Sequence, residues 1–505
     1  MDSVDISKLG GYGQTGNIFE SFYRLGKDGT LTPGLAQSVD VSADQRTYTF
    51  HLRAAKWSNG DPITAADYVF SWQRSVNPKT RSPYAYLFAG VKNGAAIAAG
   101  KQAPSTLGIT ALNAQTVVVQ LERPIAYFKK LMAYPLFGPQ NEKIYNRYGA
   151  KYGTKAQYMV YSGPFKLVDW DGTGNQWSYV KNQQYWDHQV VKLQRINYVV
   201  VPDATTGVDL FQTNKIDLTQ LSVEQVPTYV KNPDFKVFAY SYVNYIAYNR
   251  KNKDQDKAEM LNNQDARLAI SLAIDRSALA KKVVGDGTLI PTGFVATDLA
   301  SSPKTGTDFS KDQAVPDTMK FDEQSAKAHW AKAQAATGLK KITLGLLVGN
   351  DNSSAPASKS VVEYLKSQLE VTLPGLTVNI RMIPSNAAKN ERDNGDFDLA
   401  LMGWGADFND PISFLELLTS DNGMNAGHYQ SSTYDKLVTA AEGVDATNPD
   451  KRWQDLIAAA QLVNREQAVT PLYQSVYPDL MRRNIQGVIH NTAGTQWSYK
   501  YASIK

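Results

Sequence analysis

Cysteine is absent from all 505 residues, which excludes disulfides, thiolate metal sites and cysteine nucleophiles. Such a chain suits an oxidising exterior, where a stray thiol is a liability. Histidine is scarce. The five present, His51, His188, His329, His428 and His490, never fall at the spacing of a helical metal pair, so a zinc or histidine-based hydrolase is not expected. No G-x-S-x-G elbow occurs, and no apolar run reaches the roughly 18–20 residues of a membrane-spanning helix. The opening "MDSVDISKLG" lacks the basic and apolar regions of a secretion signal. The expectation is therefore either a cytosolic chain or one whose leader has been removed. Excess charge is missing too: a net charge of +5, spread among interspersed acids and bases, gives no nucleic-acid footprint.

What is present describes a large globular protein. The 505 residues exceed what one core of roughly 250–300 residues can hold, so two or more lobes are expected. Hydrophobic residues at 43% and charged residues at 20% are enough to build those cores and argue against disorder.

Along the chain, "TYTFHLR" (47–53) alternates as a half-buried strand does, and "KWSNGDPIT" supplies a tight turn. Thr64 with Asp67 fits a capping box, and Val69, Trp72 and Val76 fall on one face of the helix that follows. Further strands are predicted at 116–124, 162–170, 176–182, 196–203 and 241–250. The helical spacing of 263–284 breaks at "AIDRS", where Asp275 or Ser277 can cap a second helix before "GDG" ends it. From residue 324 helices alternate with strands: a helix to Gly338, strand "KITLGLLV", helix "SKSVVEYLKSQLE", strand "TVNIRMI" and strand "FDLALMGW". That order predicts a second α/β lobe. The helix through "KRWQDLIAAAQLVNREQ" leads to the extended "TPLYQSVYP" (470–478). Crossovers near 245 and 475 would then form a hinge.

Two stretches bear on chemistry. "GYGQTG" (11–16) matches G-x-G-x-x-G, but no apolar strand precedes it and no helix opens on it, so its glycines read as a close approach of backbone to a ligand rather than a dinucleotide site. "FDLALMGWGADFNDPISFL" (397–415) runs a buried-strand composition through two glycines into Asp407 and Asp410. Those acids read as turn formers, as a carboxylate pair for hydrolysis, or as a charge set out for a ligand.

Four ordered blocks resolve the choice by resemblance. "TFHLRAAKWSNGDPITAADYVFSWQRSVNP" (49–78), "YSGPFKLVDW" with "VKNQQYWD", "NNQDARLAISLAIDRSALAKKVV", and "FDLALMGWGADFNDPISFLELL" with "NAGHYQSSTYDKLV" resemble the oligopeptide-binding proteins of ABC importers, extracytoplasmic solute-binding protein family 5. The likeness runs from about residue 4 to the end. It implies an α/β, two-lobed periplasmic-binding-protein-like fold: a lobe I core of 1–23, 148–247 and 477–505, an extra subdomain at 24–147, and lobe II at 248–476. It also implies a receptor, not an enzyme, that closes on an extended short peptide and delivers it to a permease. No cofactor, metal or nucleic acid is expected. The protein would be a monomer, either a cell-surface lipoprotein or periplasmic, touching membrane only through a lipid anchor.

By the same resemblance, Asp407 pairs with the peptide's α-ammonium. Met402, Gly403, Trp404 and Gly405 bond the peptide backbone, with Gly11, Tyr12 and Gly13 as the facing wall. Trp404, Tyr12, Trp497, Asn350 and His428 are the candidate pocket walls, flat aromatics among them burying much area with little entropy loss. Gly403 and Gly405 are expected to leave the strand edge open. The chain departs from well-known enteric members at Leu401, where they carry an arginine for the peptide carboxylate, and in "VGNDNSSAPASKS" (348–360), which lacks their histidine. Tolerance of peptide length, or a preference for apolar ligand ends, follows. The same fold binding a dipeptide, a sugar oligomer, haem or chelated nickel is the alternative, with a peptide hydrolase behind it.

Overall fold

The computed structural model describes residues 2–3, 15–350 and 358–505. The chain packs as two compact units. Unit 1 takes the residues up to Thr206 with Glu442–Thr447 and Arg482–Lys505; unit 2 takes Gly207–Ala441 and Asn448–Met481.

Unit 1 begins with a ribbon of β1 (Tyr23–Leu25) and β2 (Leu31–Pro33), then an antiparallel sheet of β3 (Ala36–Val41), β4 (Thr47–Leu52), β5 (Ile109–Asn113) and β6 (Thr116–Gln120) in the order β3-β4-β6-β5. Helix α1 (Ala65–Val76) carries the predicted capping box: the Thr64 amide donates to Asp67 Oδ2 at 2.7 Å. Its buried face keeps the expected Trp72 and Val76 but has Tyr68 in place of Val69. Tyr68, Trp72 and Val76 are fully buried, while Val69 is only half-buried, because Tyr68 stacks on Phe22 at 4.0 Å between centroids and takes the core position. This sheet and helix lie within the stretch expected as an extra subdomain. A second sheet follows, β7 (Phe165–Val168), β8 (Gln176–Lys181) and β9 (Arg195–Val199), packed with Ile18, Phe19, Tyr161 and Tyr185.

Unit 2 is built on a six-stranded mixed sheet. Its strands are β10 (Leu218–Gln220), β11 (Phe235–Tyr248), β12 (Ile342–Gly349), β13 (Leu376–Ile383), β14 (Leu399–Gly405) and β15 (Val469–Met481), in the order β10-β15-β11-β14-β12-β13. The crossovers expected near 245 and 475 fall inside β11 and β15. These long strands pair with each other from Phe235↔Leu480 to Ala247↔Val469, and the unit boundaries come after Thr206 and Met481. Pro471 sits in this central strand because a register shift at Asn244/Tyr245 removes the need for its missing N–H.

The helices fall where the sequence puts them. In α2 (Gln264–Leu272) Asn263 caps by accepting from the Ala266 amide, and after the break Asp275, rather than Ser277, accepts from the Ala278 amide before Gly285 turns the chain at φ +70°. Helices α3 (Glu323–Thr337) and α4 (Ser358–Thr372) pack Trp330, Val361, Leu365 and Leu369 onto Leu344, Leu346, Val378 and Leu399. Helix α5 (Ser385–Asp393) covers the opposite face, with Ala388 against Leu347 and Ala400. Strand β12 is thus buried on both faces over its second half, Leu346, Leu347 and Val348, where the sequence becomes continuously apolar. Helix α6 (Pro449–Glu466) follows Asn448, which accepts from the Lys451 amide.

One buried acid in this sheet forms no ion pair among the described residues. Asp479 on β15 is 3% exposed, between Gln220 on β10 and Lys236 on β11, and burial raises its carboxyl to about 7. The folded chain therefore holds this proton more tightly than the unfolded chain, whose aspartates titrate near 3.9. Stability should fall as pH rises from about 4 to about 7, by on the order of 4 kcal/mol from this group. Urea melts at about pH 5 and pH 8 are the check: Asp479→Asn should flatten the slope and gain stability at the higher pH, and parallel curves for the two proteins would show that the group does not titrate there.

Candidate functional site

The connections of unit 2 locate a site before any side chain is considered. The chain goes from β12 through α4 to β13 on one side, then returns through α5 to β14 on the other side of β12. In open α/β sheets ligands bind beyond the carboxyl ends of strands where the winding reverses. Here that point lies between the ends of β12 and β14.

The two strands are parallel there and share only the pairs Leu346↔Leu399 and Leu347↔Ala400. Beyond Ala400 the remainder of β14 keeps one neighbour, β11, in an antiparallel register running from Leu401↔Ile246 to Gly405↔Tyr242. The Ala406 amide donates to Ser241 O at 3.0 Å, which sets the phase of that ladder. Met402 and Trp404 therefore turn their main-chain groups toward β11, and Gly403 and Gly405 turn theirs away. Among the described residues no strand pairs with β14 on that side. A short open edge results, lying in the interior of a six-stranded sheet.

The glycines have a reason the sequence did not disclose. A Cβ on Gly403 would stand 2.3 Å from the Tyr242 ring, and one on Gly405 would stand 3.1 Å from Tyr242 Cδ2 and 3.2 Å from Tyr240 Oη. Tyr240 stacks on Tyr242 at 5.7 Å and on Tyr477 at 5.1 Å. Gly403 and Gly405 are bare to seat this aromatic row on the sheet face; the open edge comes from the departure of β12. Leu401 packs against the large core cluster.

The turn after β14 separates the two acids. Asp410 is buried, and Arg452 of α6 donates to both its oxygens, Nη1 to Oδ2 at 3.0 Å and Nη2 to Oδ1 at 2.8 Å. Asp410 also accepts from the Ile412 amide, so it anchors the turn to the helix. Asp407 is half-buried, and its backbone amide donates to Ser413 Oγ at 3.0 Å. The indole of Trp404 donates to Ser413 O at 2.8 Å. Ser413 thus ties the strand end to the turn that presents Asp407. The sequence reading missed both Ser413 and Tyr242; only the i+9 return of the chain and the cross-strand register bring them here.

The other candidates are distributed unevenly. Asn350 follows β12 at the same sheet end, its amide donating to Ile383 O at 3.0 Å. His428 is not brought to Asp407. It follows Gly427, whose carbonyl accepts from the Arg250 amide beyond the far end of β11, several strand residues from the Gly405 pairing, and burial with Lys251 nearby lowers its pKa. Trp497 belongs to unit 1, in a ribbon with Ile489–His490, where its ring meets His490 edge-on at 4.6 Å. Gly11, Tyr12 and Gly13 lie outside the described residues. Among the described residues no group of acids and histidines could hold a metal ion, and no helix is long and apolar enough to cross a membrane.

Two substitutions test this geometry. Gly403→Ala should cost about 1–3 kcal/mol in urea unfolding because the added methyl meets a ring, and the Tyr242→Ala background should remove most of that penalty. Asp410→Ala should cost about 3–5 kcal/mol by leaving Arg452 buried without its partner. A loss under about 1 kcal/mol would place the pair in solvent.

Comparisons with known proteins agree with this architecture. The pattern of the bacterial extracellular solute-binding proteins, family 5 (middle), matches residues 30–426. A dipeptide-binding protein of Lactococcus lactis is 35% identical over 100% of this chain and 92% of its own length. The oligopeptide-binding protein OppA of Bacillus subtilis is 31% identical over 93% and 84%. Among solved structures, Listeria monocytogenes OppA bound to peptide superposes with a TM-score of 0.77 at 35% identity, covering 100% of this chain and 96% of that one. The unliganded open form of the murein tripeptide-binding protein MppA reaches 0.83 at 26% identity, covering 100% and 94%. With a match across most of its length and relatives above 30% identity end to end, this chain belongs to the bacterial extracellular solute-binding proteins of family 5.

Proposed function

We propose that the protein is an extracytoplasmic receptor that binds short peptides in extended form and hands them to an ABC permease. The observation that carries this reading is the open edge of β14. Gly403 and Gly405 offer outward main-chain donors and acceptors two residues apart, the repeat of an added strand, and the edge runs on to the half-buried Asp407. A peptide laid along it gains hydrogen bonds that do not depend on its sequence. Asp407 at the end supplies register, since a misplaced α-ammonium is left without its charge partner. Trp404, held by Ser413, forms a flat wall beside the first ligand residues, and Asn350 stands on the β12 side. The relatives described as dipeptide- and oligopeptide-binding proteins support the ligand class, and a solved relative described as the substrate-binding domain of an oligopeptide ABC transporter supports the permease partner. The receptor acts as a monomer, held at the membrane by a lipid anchor or free in the periplasm.

Leu401 is committed to the core, so no carboxylate anchor stands at that position and ligands of different lengths are accommodated. A second solute class is favoured by one relative, a probable deoxycholate-binding periplasmic protein of Escherichia coli that is 30% identical. Asp407 argues against it here, because a bile acid brings no amine.

Calorimetric titration of protein refolded free of carried-over ligand separates these readings. An apolar pentapeptide should bind while its N-acetylated twin does not, and Asp407→Asn should weaken the free-amine peptide by about 2–5 kcal/mol. Equal binding of the twins would return Asp407 to a turn role. Failure of both peptides alongside deoxycholate binding would replace the ligand class. The peptide should be recovered uncleaved, and its C-terminal amide should bind within a few-fold of the acid.

A further inference from the structure

Unit 1 contains a small cavity where the first described residues meet the C-terminal ribbon, lined by Gly16, Phe19, Glu20, Ser21, Arg24, Thr495 and Ser498 among others. Its volume, taken as the space open to the centre of a water molecule, is about 10 Å³. One water needs about that much.

The walls are a buried polar network with a specific deficit. Glu20 Oε2 accepts from Arg24 Nη1 at 3.0 Å and from the Tyr185 hydroxyl at 2.5 Å, while Arg24 Nη2 donates to Gly16 O at 2.6 Å and to Ser498 Oγ at 3.3 Å. Four other atoms, Glu20 Oε1, Ser21 Oγ, Arg24 Nε and Thr495 Oγ1, are buried and have no hydrogen-bond partner among the described residues. All four residues are more than nine-tenths buried, and all four line this cavity. An unpaired polar atom in such a place costs roughly 1–3 kcal/mol, more when the group is charged. Four at one cavity would be a heavy local penalty, and Gly16 lies so close to Thr495 that an added Cβ would stand 2.1 Å from its Cγ2.

The chemistry of the unpaired set selects the occupant. It comprises one N–H donor on a cation, one carboxylate acceptor and two hydroxyls that can do either. An anion would face Glu20 and a metal ion would face Arg24, whereas water accepts from the guanidinium and donates to the carboxylate and a hydroxyl. We propose that this cavity is the binding site of a single structural water that accepts from Arg24 Nε–H and donates to Glu20 Oε1 and to Ser21 or Thr495. Through Arg24, which also donates to Ser498 Oγ, it borders the ribbon that carries Trp497.

A crystal structure of the full chain that shows ordered water decides the matter. The expected result is one water within about 2.6–3.2 Å of Arg24 Nε and of at least one of the other three atoms. A cavity with ordered walls and no density, or an Arg24 Nε bonded directly to a protein oxygen, overturns the proposal. In solution, magnetic relaxation dispersion counts long-lived internal waters. Ser21→Val, which puts a methyl into the space, should lose one relative to the parent protein. Equal counts would overturn the assignment, and if this variant does not fold the crystal structure still decides.

Discussion

The departure of β12 from β14 after Leu347 and Ala400 is the constraint from which the binding half of this molecule follows. A fully paired strand would have spent the main-chain groups of Gly403 and Gly405 on the ladder. The reversal of winding between β13 and β14 lets the two strands separate, since no short connection holds their carboxyl ends together. Backbone groups that a soluble protein would normally satisfy or bury are left presented at a sheet end.

Everything nearby serves to hold that edge still. Helices α3 and α4 pack one face of the sheet and α5 the other, so β14 cannot shift its register without exposing Leu399 or Ala400. Where the helices stop, the row of Tyr240, Tyr242 and Tyr477 continues the cover over the two glycines. Past the strand end, Ser413 bonds both the Trp404 indole and the Asp407 amide, and the bidentate pair of Asp410 with Arg452 fastens the turn to α6. The turn that carries Asp407 is thus held from both sides, by Ser413 on the strand end and by Asp410 on the helix.

Unit 1 uses buried polarity in another way. Its core is aromatic around Phe22, Phe50, Tyr68 and Trp72, and the seam between the entering chain and the C-terminal ribbon carries the Glu20–Arg24–Tyr185 network. Such a network specifies one arrangement of the strands it joins, provided every member is satisfied. A water in the cavity beside it completes that satisfaction.

The sequence by itself determined most of the elements: the capping box of Thr64 and Asp67, the cap at Asp275, the stop at Gly338 and the alternation of helices and strands after residue 324 are local signals, set by hydrogen bonds within a few residues. Its four ordered blocks also carried the family and the region around Asp407. It could not decide what depends on contacts between distant segments. The core position expected of Val69 went to Tyr68, which stacks on Phe22; Gly403 of β14 answers to a tyrosine 161 positions earlier; and Asp410 belongs to Arg452. His428 sits in a motif near Asp407 in sequence but was carried toward Arg250 by the loop it occupies. Local pattern fixes which residues form an element, and tertiary packing alone decides which of their faces and edges meet another chain segment and which stay open.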